Sequence, residues 1–412
     1  MAENSETSDD LPSLWTRSFA LLISGTLFQG LSFYLLFPIL PLYVTGPLQS
    51  GEDVVGLVVG VFSVTALMAR PFAGYWLDRF GRRTVLMLAA SFFCLSMFSF
   101  LLASNLWLLL VIRLMQGIGW GLVGTASATV AIDLIPPDRR GEGMGMYLLS
   151  LPLALAVGPL IGFWVLAGSH FPRLFLCAGV LAIFALMCFA LVQIPPIRNP
   201  AARLTLQNIV EKRVLRLSSF MLVICLAYGG LMAFVPLYAL HLGLQTAAPV
   251  FSAFSIGIIA TRLFAGRWYD LRGPLQPCVT ALALLLIGWL GLGFAGGRIS
   301  LMGSAAFIGL GFGILMPSVN AMLADVTPYE SRGAANATFL SSCDVGIAVG
   351  AMVFGLLVKH FEAYFDMSII YKLSAVLIAT SALLFWFFVY PHFQRNRLMR
   401  TEHEEGQTLL PD

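Results

Sequence analysis

A stretch of twelve residues occurs twice in this chain, and the two copies constrain how the rest can fold. RPFAGYWLDRFG, which begins at Arg70, returns as RLFAGRWYDLRG from Arg262. The same offset aligns GIGWG (117–121) with GLGFG (309–313). One structural unit has therefore been duplicated, and each copy carries charged residues at matching points. In a strongly apolar chain this pattern indicates a membrane transporter built from two halves.

The composition predicts that most of the chain is dissolved in a lipid bilayer. Hydrophobic residues make up 58% of the sequence and charged residues 11%, too few charges for the surface of a water-soluble domain. Apolar runs of about 20 residues, long enough to cross a membrane, follow one another, without the alternation of a barrel. We therefore predict an all-α membrane protein. Its spans are expected near residues 18–45, 54–77, 84–104, 106–135, 143–167, 172–194, 216–241, 247–270, 276–297, 299–326, 334–358 and 367–391.

The distribution of basic residues predicts the orientation. Arginine and lysine concentrate in the loops after even-numbered spans and in the C-terminal tail, so the positive-inside rule places both termini in the cytoplasm. The first span is too long for a cleaved signal peptide and follows an acidic tail. The predicted parts are an N-terminal tail (1–17), a six-helix bundle (18–194), a cytoplasmic linker (195–215), a second six-helix bundle (216–391) and a C-terminal tail (392–412).

Several classes of function find no support in the sequence. The phosphate-binding pattern GxxxxGK[ST] is absent, so ATP is not the expected energy source. The six cysteines lack metal-ligand spacing, and we expect neither a metal site nor a cofactor. No catalytic constellation appears, so the protein is not expected to be an enzyme. The net charge of +3 is explained by membrane topology, and we expect no nucleic-acid partner.

Four segments together resemble the major facilitator superfamily, and the resemblance covers essentially the whole chain. GYWLDRFGRR from Gly74 is similar to the loop signature between helices 2 and 3, and RLMQGIG from Arg113 to the helix 4 signature. ALAVGPLIG from Ala154 is similar to the helix 5 signature of exporting members. The segment from Leu31 to Pro41 resembles helix 1 of the twelve-span drug–proton antiporters.

This resemblance implies twelve transmembrane helices in two pseudo-symmetric six-helix bundles. It also implies a monomeric proton-coupled antiporter of the inner membrane that exports a small amphipathic, drug-like or metallophore-like molecule by alternating access. Three residues, Ser32, Ala154 and Phe163, stand where glycine is usual, and the last two weaken the inference about direction. Two alternatives therefore stay open: proton-coupled uptake of a small nutrient, and a lipid-moving or sensing protein on the same fold.

The loop between spans 2 and 3, with its repeat, suggests a conformational latch. Gly74 and Gly81 permit a tight turn and a close approach of helices. The resemblance implies that the acid at the end of span 2 meets helix 11, while loop arginines pair with an acid at the inner end of helix 4. The predicted latch residues are Gly74, Asp78, Arg79, Gly81, Arg82, Arg83, Asp133, Asp270 and Asp325. The second copy has Pro274 and Leu275 in place of the paired arginines, so its half should be weaker. The alternative is a charge cluster that only sets topology.

Asp344 is the candidate for proton exchange, because it lies well inside predicted span 11 (334–358). A carboxylate at this depth is unfavourable by several kcal/mol unless it is paired, hydrated or protonated. Its repeat counterpart is Pro152, and the alternative is a structural acid satisfied by Ser341 and Ser342. The resemblance implies a role in proton coupling for the helix 4 arginine, Arg113. The alternative for Arg113 is snorkelling toward the outer surface.

Spans 1, 4, 7 and 10 are expected to line a substrate cavity in this architecture. Aromatic rings with a few hydrogen-bonding groups suit an amphipathic ligand. The predicted lining residues are Gln29, Phe33, Tyr34, Trp120, Tyr228, Phe234, Tyr238 and Asn320. In span 5, Gly158, Pro159 and Gly162 are expected to let the helix bend or slide. The duplicated Arg70 and Arg262 are expected to brace their helices, although an anionic ligand could use either.

Overall fold

A computed structural model describes residues 14–136, 140–166, 170–194, 196, 211–244, 246–327, 332–361 and 367–395. Within these ranges eleven helices are long and apolar enough to cross a membrane, and the bent helix of span 8 makes a twelfth. Spans 1 to 6 are Arg17–Thr45, Val54–Phe80, Arg82–Leu102, Leu106–Leu134, Gly143–Leu166 and Phe171–Leu191. Spans 7 to 12 are Lys212–His241, Ala248–Arg272, Leu275–Gly293, Arg298–Val326, Thr338–Val358 and Ser368–Arg395.

The predicted all-α membrane fold is confirmed, and the limits of the predicted spans lie close to the observed ones. This agreement arises because the length of an apolar run is a local property that a bilayer selects directly. Most of the predicted linker (195–215), the N-terminal tail before residue 14 and the C-terminal tail after residue 395 lie outside the described residues.

The packing of the helices repeats in the two halves. Span 1 packs on spans 5 and 6, span 4 on spans 2 and 3, and span 3 on span 6. In the second half, span 7 packs on spans 11 and 12, span 10 on spans 8 and 9, and span 9 on span 12. The halves meet where span 2 packs on span 11 and span 5 on span 8. Exchanging the halves maps each pairing onto another, so the duplicated sequence builds a pseudo-symmetric molecule.

The halves touch closely on the side of the molecule away from the chain termini. A Cβ atom added to Gly56 would lie 2.2 Å from the Ala351 carbonyl oxygen, and one added to Gly60 would lie 2.5 Å from Met352 Cε. Near the start of span 8, Ser252 donates a 3.1 Å hydrogen bond to a carbonyl of span 5. Backbone-to-backbone contact of this kind leaves no passage between spans 2 and 11 at that end.

The glycines predicted to bend span 5 serve close packing in this structure. Gly158 and Gly162 face span 1, and a Cβ atom at Gly162 would lie 2.4 Å from the Leu35 carbonyl oxygen. The helix continues through Pro159 and is interrupted at Leu149 instead. The described backbone therefore places the break in span 5 nearer to its inner end than the sequence indicated.

Candidate functional site

An ion pair joins the two halves near the middle of spans 2 and 11. Arg70 Nε lies 2.7 Å from Asp344 Oδ2, and the two side chains are 19% and 18% exposed. Span 2 ends at Phe80, and the helix that carries Asp344 starts at Arg332. Both charged residues therefore lie about three turns, or about 15–18 Å, from the same side of the molecule. Both residues stand out in the sequence, but the ion pair between them was not predicted. Their matching depth and opposite charges would have indicated it.

The neighbourhood of Asp344 differs from the structural alternative considered for it. Ser342 donates its hydroxyl proton to the Phe339 carbonyl of its own helix at 2.7 Å, so the part of the alternative that assigned Ser342 to the acid is wrong. A serine two residues before an acid on a helix points to a different face. Span 7 packs on this part of span 11, because a Cβ atom added to Gly346 would lie 2.8 Å from Cys225 Cβ.

Arg113 is fully buried inside the N-terminal half. Its Nε atom donates a 3.0 Å hydrogen bond to the Val58 carbonyl, and its guanidinium also hydrogen bonds with the Gln116 side chain. The guanidinium lies over the Phe62 ring, 4.4 Å from its centroid. Its Nη2 atom has no hydrogen-bond partner. Because the side chain is 0% exposed, the snorkelling alternative is wrong: the guanidinium turns inward, toward span 2.

The second repeated arginine crosses between the halves as well, but it meets a different acceptor. Arg262 Nη1 donates a 3.0 Å hydrogen bond to the Leu148 carbonyl of span 5. Pro152 follows one helical turn later and has no N–H, so the helix leaves this carbonyl without its usual donor. Pro152 is also the repeat counterpart of Asp344. The arginine of the first half thus meets a carboxylate of the second half. The arginine of the second half meets a carbonyl of the first half that proline leaves free.

Arg82 lies at the centre of the charged cluster at the inner end of the first half. Its Nη1 atom is 2.7 Å from Asp78 Oδ1, and its Nε atom is 3.2 Å from Asp133 Oδ2. Arg83 instead donates to two carbonyls at the C-terminal end of span 6, where a cation is favourable. Arg79 donates a 2.6 Å hydrogen bond to a tyrosine hydroxyl of its own helix. The structure therefore brings the two acids onto a single arginine.

The two glycines of this loop have different roles. Gly81 adopts a φ of +92° between spans 2 and 3, a conformation that residues with a Cβ rarely adopt, so the predicted tight turn is present. A Cβ atom added to Gly74 would meet nothing within 4 Å. The prediction that Gly74 allows a close approach of helices is therefore wrong for this conformation, because no neighbouring helix reaches that face.

In the second copy of the cluster, a tyrosine contacts the acid. Asp325, the counterpart of Asp133, accepts a 2.8 Å hydrogen bond from the Tyr269 hydroxyl. Asp270 is exposed at the end of span 8. Asp325 thus ties the inner end of span 10 to span 8, and the weaker second half expected from Pro274 and Leu275 stays a prediction.

Two aromatic clusters, one in each half, are related by the duplication. The ring centroids of Phe62 and Trp120 are 6.4 Å apart, and those of their counterparts Phe254 and Phe312 are 6.1 Å apart. Tyr228 extends the second cluster, 5.1 Å from Phe312. Trp120 and Tyr228 were predicted from the sequence, and the three phenylalanines were not. The constant offset between the two copies relates Phe312 to Trp120 and Phe254 to Phe62.

The predicted cavity residues fall into two groups. Buried within the bundles are Gln29, Phe33, Phe234 and Tyr238. Partly exposed are Tyr34, Trp120, Tyr228 and Asn320. Tyr34 and Tyr228 come from opposite halves, and each belongs to the aromatic cluster of its own half. Tyr238 does not face this region, because its hydroxyl donates to carbonyls at the end of span 9.

Comparison with known proteins identifies the family. The sequence model of the Major Facilitator Superfamily matches residues 22–296 and 245–409. The chain belongs to the major facilitator superfamily. A solved D-xylose–proton symporter of the superfamily fold is 18% identical and aligns with a TM-score of 0.74, covering 90% of this chain and 97% of that one. The human organic anion transporter MFSD10 is 19% identical, with a TM-score of 0.69 over 89% and 98% of the two chains. These two likenesses concern the fold.

Curated relatives are named for multidrug resistance, for efflux or for export. Multidrug resistance protein MdtG of Dickeya zeae is 28% identical over 399 residues, 92% of this chain and 96% of that protein. The staphylopine export protein of Staphylococcus aureus is 27% identical over 331 residues, 75% and 81% of the two chains. The multidrug efflux pump PmrA homologue of Lactococcus lactis is 26% identical over 355 residues, 82% and 87%. This multi-pass membrane protein is thus a secondary transporter rather than an enzyme.

Proposed function

We propose that this transporter is a proton-coupled antiporter of the inner membrane that exports a small amphipathic molecule by alternating access. The observation that carries the proposal is the ion pair between Arg70 and Asp344, one residue from each half at mid-span depth. A carboxylate at this depth can exchange a proton, and its counter-charge belongs to the half that must move. Two relatives, named an export protein and an efflux pump, support export as the direction.

The proposed orientation places both chain termini in the cytoplasm, because the arginine-rich loops after spans 2, 4 and 6 lie on that side. The close contacts of Gly56 and Gly60 with span 11 are then on the outer side of the membrane. In this orientation the structure corresponds to a state that is closed to the outside. Each chain contains both halves and the whole interface between them, which supports function as a monomer.

The ion pair gives protonation a mechanical consequence. In this outward-closed state Arg70 pairs with Asp344, which fits a protein that has released its proton to the cytoplasm. Substrate from the cytoplasm separates the pair and the outer side opens. A proton arriving from outside then neutralises the acid, and the attraction between spans 2 and 11 is lost. Substrate then leaves on the outer side, the proton leaves on the inner side, and the ion pair forms again.

Arg113 is proposed to assist this exchange from within the first half. It is fully buried and keeps one nitrogen without a partner. A buried cation with an unsatisfied donor attracts any anionic group that enters the bundle. Arg113 lies on span 4 and contacts Val58 and Phe62 of span 2. Its positive charge therefore acts on Asp344 through its electrostatic field and through the packing of span 2.

The cluster around Arg82 is proposed to act as the inner latch. Arg82 joins the end of span 2 to the end of span 4 through Asp78 and Asp133, so the two helices move as one body. Asp78 keeps 52% of its side chain exposed and can turn toward another helix when the inner side closes. We expect this cluster to carry most of the switching, because the second copy has Pro274 and Leu275 in place of the paired arginines.

The test is the loss of coupling in Asp344→Asn. Inverted vesicles with an imposed pH gradient are supplied with cationic, anionic and zwitterionic amphipathic dyes, and dye accumulation and lumenal pH are followed together. We expect the variant to lose gradient-driven accumulation while it still exchanges dye down a concentration gradient, because the amide cannot carry a proton. Glu211→Gln, a matched substitution outside the spans, should behave like the wild type. Gradient-driven accumulation by Asp344→Asn at the wild-type rate would contradict the proposal.

A further inference from the structure

The Arg70–Asp344 pair is partly accessible and lies on the surface that the two halves share. About a fifth of each side chain is exposed, although both lie deep in the spans, where lipid contact would be unfavourable for a charge. Among the described residues, the charged partner of Asp344 is Arg70 on span 2, and Cys225 on span 7 packs against Gly346, two residues further along span 11. The exposed parts of the pair therefore open onto the space between the halves rather than onto lipid.

Aromatic residues follow the pair along span 7. Cys225 packs against Gly346, two residues beyond Asp344, and Tyr228 lies about one turn further along span 7. Tyr228 belongs to the aromatic cluster of the second half, 5.1 Å from Phe312, and Tyr34 belongs to the matching cluster of the first half, 6.3 Å from Trp120. Each half thus supplies one partly exposed tyrosine for the apolar part of a ligand.

Movement of a substrate past this point requires the pair to separate. Separation leaves a guanidinium and a carboxylate without partners in a region of low dielectric constant, which is strongly unfavourable. A cationic ligand would compensate only Asp344, and an anionic ligand only Arg70. A ligand that carries both charges close together compensates both residues at once. Arginine also suits the carboxylate of such a ligand, because its planar fork can donate two parallel hydrogen bonds.

We infer that Arg70 and Asp344 together recognise a zwitterionic head group, with a carboxylate on Arg70 and an ammonium on Asp344. Tyr34 and Tyr228 hold the apolar body of the same ligand. The inference rests on the proposed export function and narrows its substrate class to amphipathic amino-acid-like compounds. The ammonium group and the proton then compete for the same carboxylate, which is what an exchange of one for the other requires.

The experiment compares three probes that share one apolar body. The probes are 2-naphthylalanine, 2-(2-naphthyl)ethylamine, which lacks the carboxylate, and 3-(2-naphthyl)propanoic acid, which lacks the ammonium. Binding to the purified full-length protein in detergent is measured by calorimetry and by the shift in unfolding temperature. We expect the wild type to bind 2-naphthylalanine at least about tenfold more tightly than either of the other probes, a difference of about 1.4 kcal/mol.

Substitutions then assign each charge of the head group. Arg70→Gln should reduce the affinity for 2-naphthylalanine to that for the amine, and Asp344→Asn should reduce it to that for the acid. The double variant Arg70→Gln/Asp344→Asn leaves no unpaired charge to impair folding, and it should bind all three probes equally. Arg262→Gln removes the repeat-related arginine, which meets a carbonyl instead of an acid, and should keep the wild-type preference.

Two results would overturn the inference: no binding of 2-naphthylalanine by the wild type, or a preference for it that persists in the double variant. These results are separable from failure of the proposed function. Gradient-driven transport of the amine without preference for the zwitterion would leave the antiporter intact and remove the head-group assignment. Selective binding of the zwitterion without any proton coupling would leave the head-group assignment intact and remove the antiporter proposal.

Discussion

At the scale of single residues, the repeated arginines show how a duplicated position acquires two roles. Arg70 and Arg262 occupy equivalent positions and both reach across to the opposite half. The acceptor is the carboxylate of Asp344 in one case and the Leu148 carbonyl in the other. Only the carboxylate can bind a proton, so only the contact between Arg70 and Asp344 can respond to pH. The other is a fixed contact that depends on Pro152 to free the carbonyl.

This difference predicts a specific energetic coupling between Arg262 and Pro152. Arg262→Met should lower the free energy of unfolding by about 1 kcal/mol, because the Leu148 carbonyl loses its donor. In the background of Pro152→Ala the same substitution should have a smaller effect, since the alanine N–H supplies the missing hydrogen bond. The free energy of unfolding is measured in one detergent for the wild type, the two single variants and the double variant. An equal effect of Arg262→Met in both backgrounds would show that Pro152 is not what frees the carbonyl.

At the scale of elements, the glycines of spans 4 and 10 explain why the duplicated GxGxG pattern was kept in both halves. A Cβ atom at Gly117 would lie 2.4 Å from the Phe62 carbonyl oxygen, and one at Gly309 would lie 1.9 Å from the Phe254 carbonyl oxygen. The two contacts are repeat counterparts, and they pack span 4 on span 2 and span 10 on span 8. Close approach of backbones is the main source of helix association in lipid.

Span 10 offers a matched pair of substitutions that tests this packing. Gly309→Ala should lower the free energy of unfolding by about 1–3 kcal/mol, because the new methyl group would overlap a backbone carbonyl that cannot rotate away. Gly303→Ala, in the same helix, introduces a methyl group that meets nothing within 4 Å, and it should be neutral. Thermal unfolding in detergent compares the two, and similar stabilities would show that spans 8 and 10 can separate at no cost.

At the scale of the whole molecule, every major helix pairing has a counterpart in the other half, yet the contacts between the halves are concentrated away from the chain termini. Alternating access requires these contacts to open when the opposite side closes. The packing of Gly56 and Gly60 on span 11 is therefore expected to be reversible, with the Arg70–Asp344 pair as the charged element at its inner edge.

A disulfide across this contact should trap the molecule. In a background without the six native cysteines, Gly60→Cys with Met352→Cys removes the side chain that Gly60 faces and places two thiols close together. Oxidation is expected to abolish transport, and reduction is expected to restore it. Each single-cysteine protein serves as a control that oxidation should leave active. Full transport by the cross-linked protein would show that spans 2 and 11 stay together throughout the cycle.

The sequence alone was enough to predict the number and limits of the spans, the duplication and part of the inner charge cluster. These features depend on local properties: the length of an apolar run, the constant offset between copies, and the i,i+4 spacing that lets Asp78 and Arg82 meet on one helix face. The same reasoning found Asp344, because a carboxylate inside a span stands out against its neighbours.

The contacts that those residues make depend on how the helices assemble. Asp344 and Arg70 are 274 positions apart, and their contact depends on the rotation and depth of two helices from different halves. Spans that are apolar on nearly every face carry little periodic signal to fix that rotation. The same limit explains why Arg113 turned out to face span 2 and why Tyr238 packs on span 9. In lipid, helix orientation is set by small-residue packing between helices, which becomes visible once the helices are assembled.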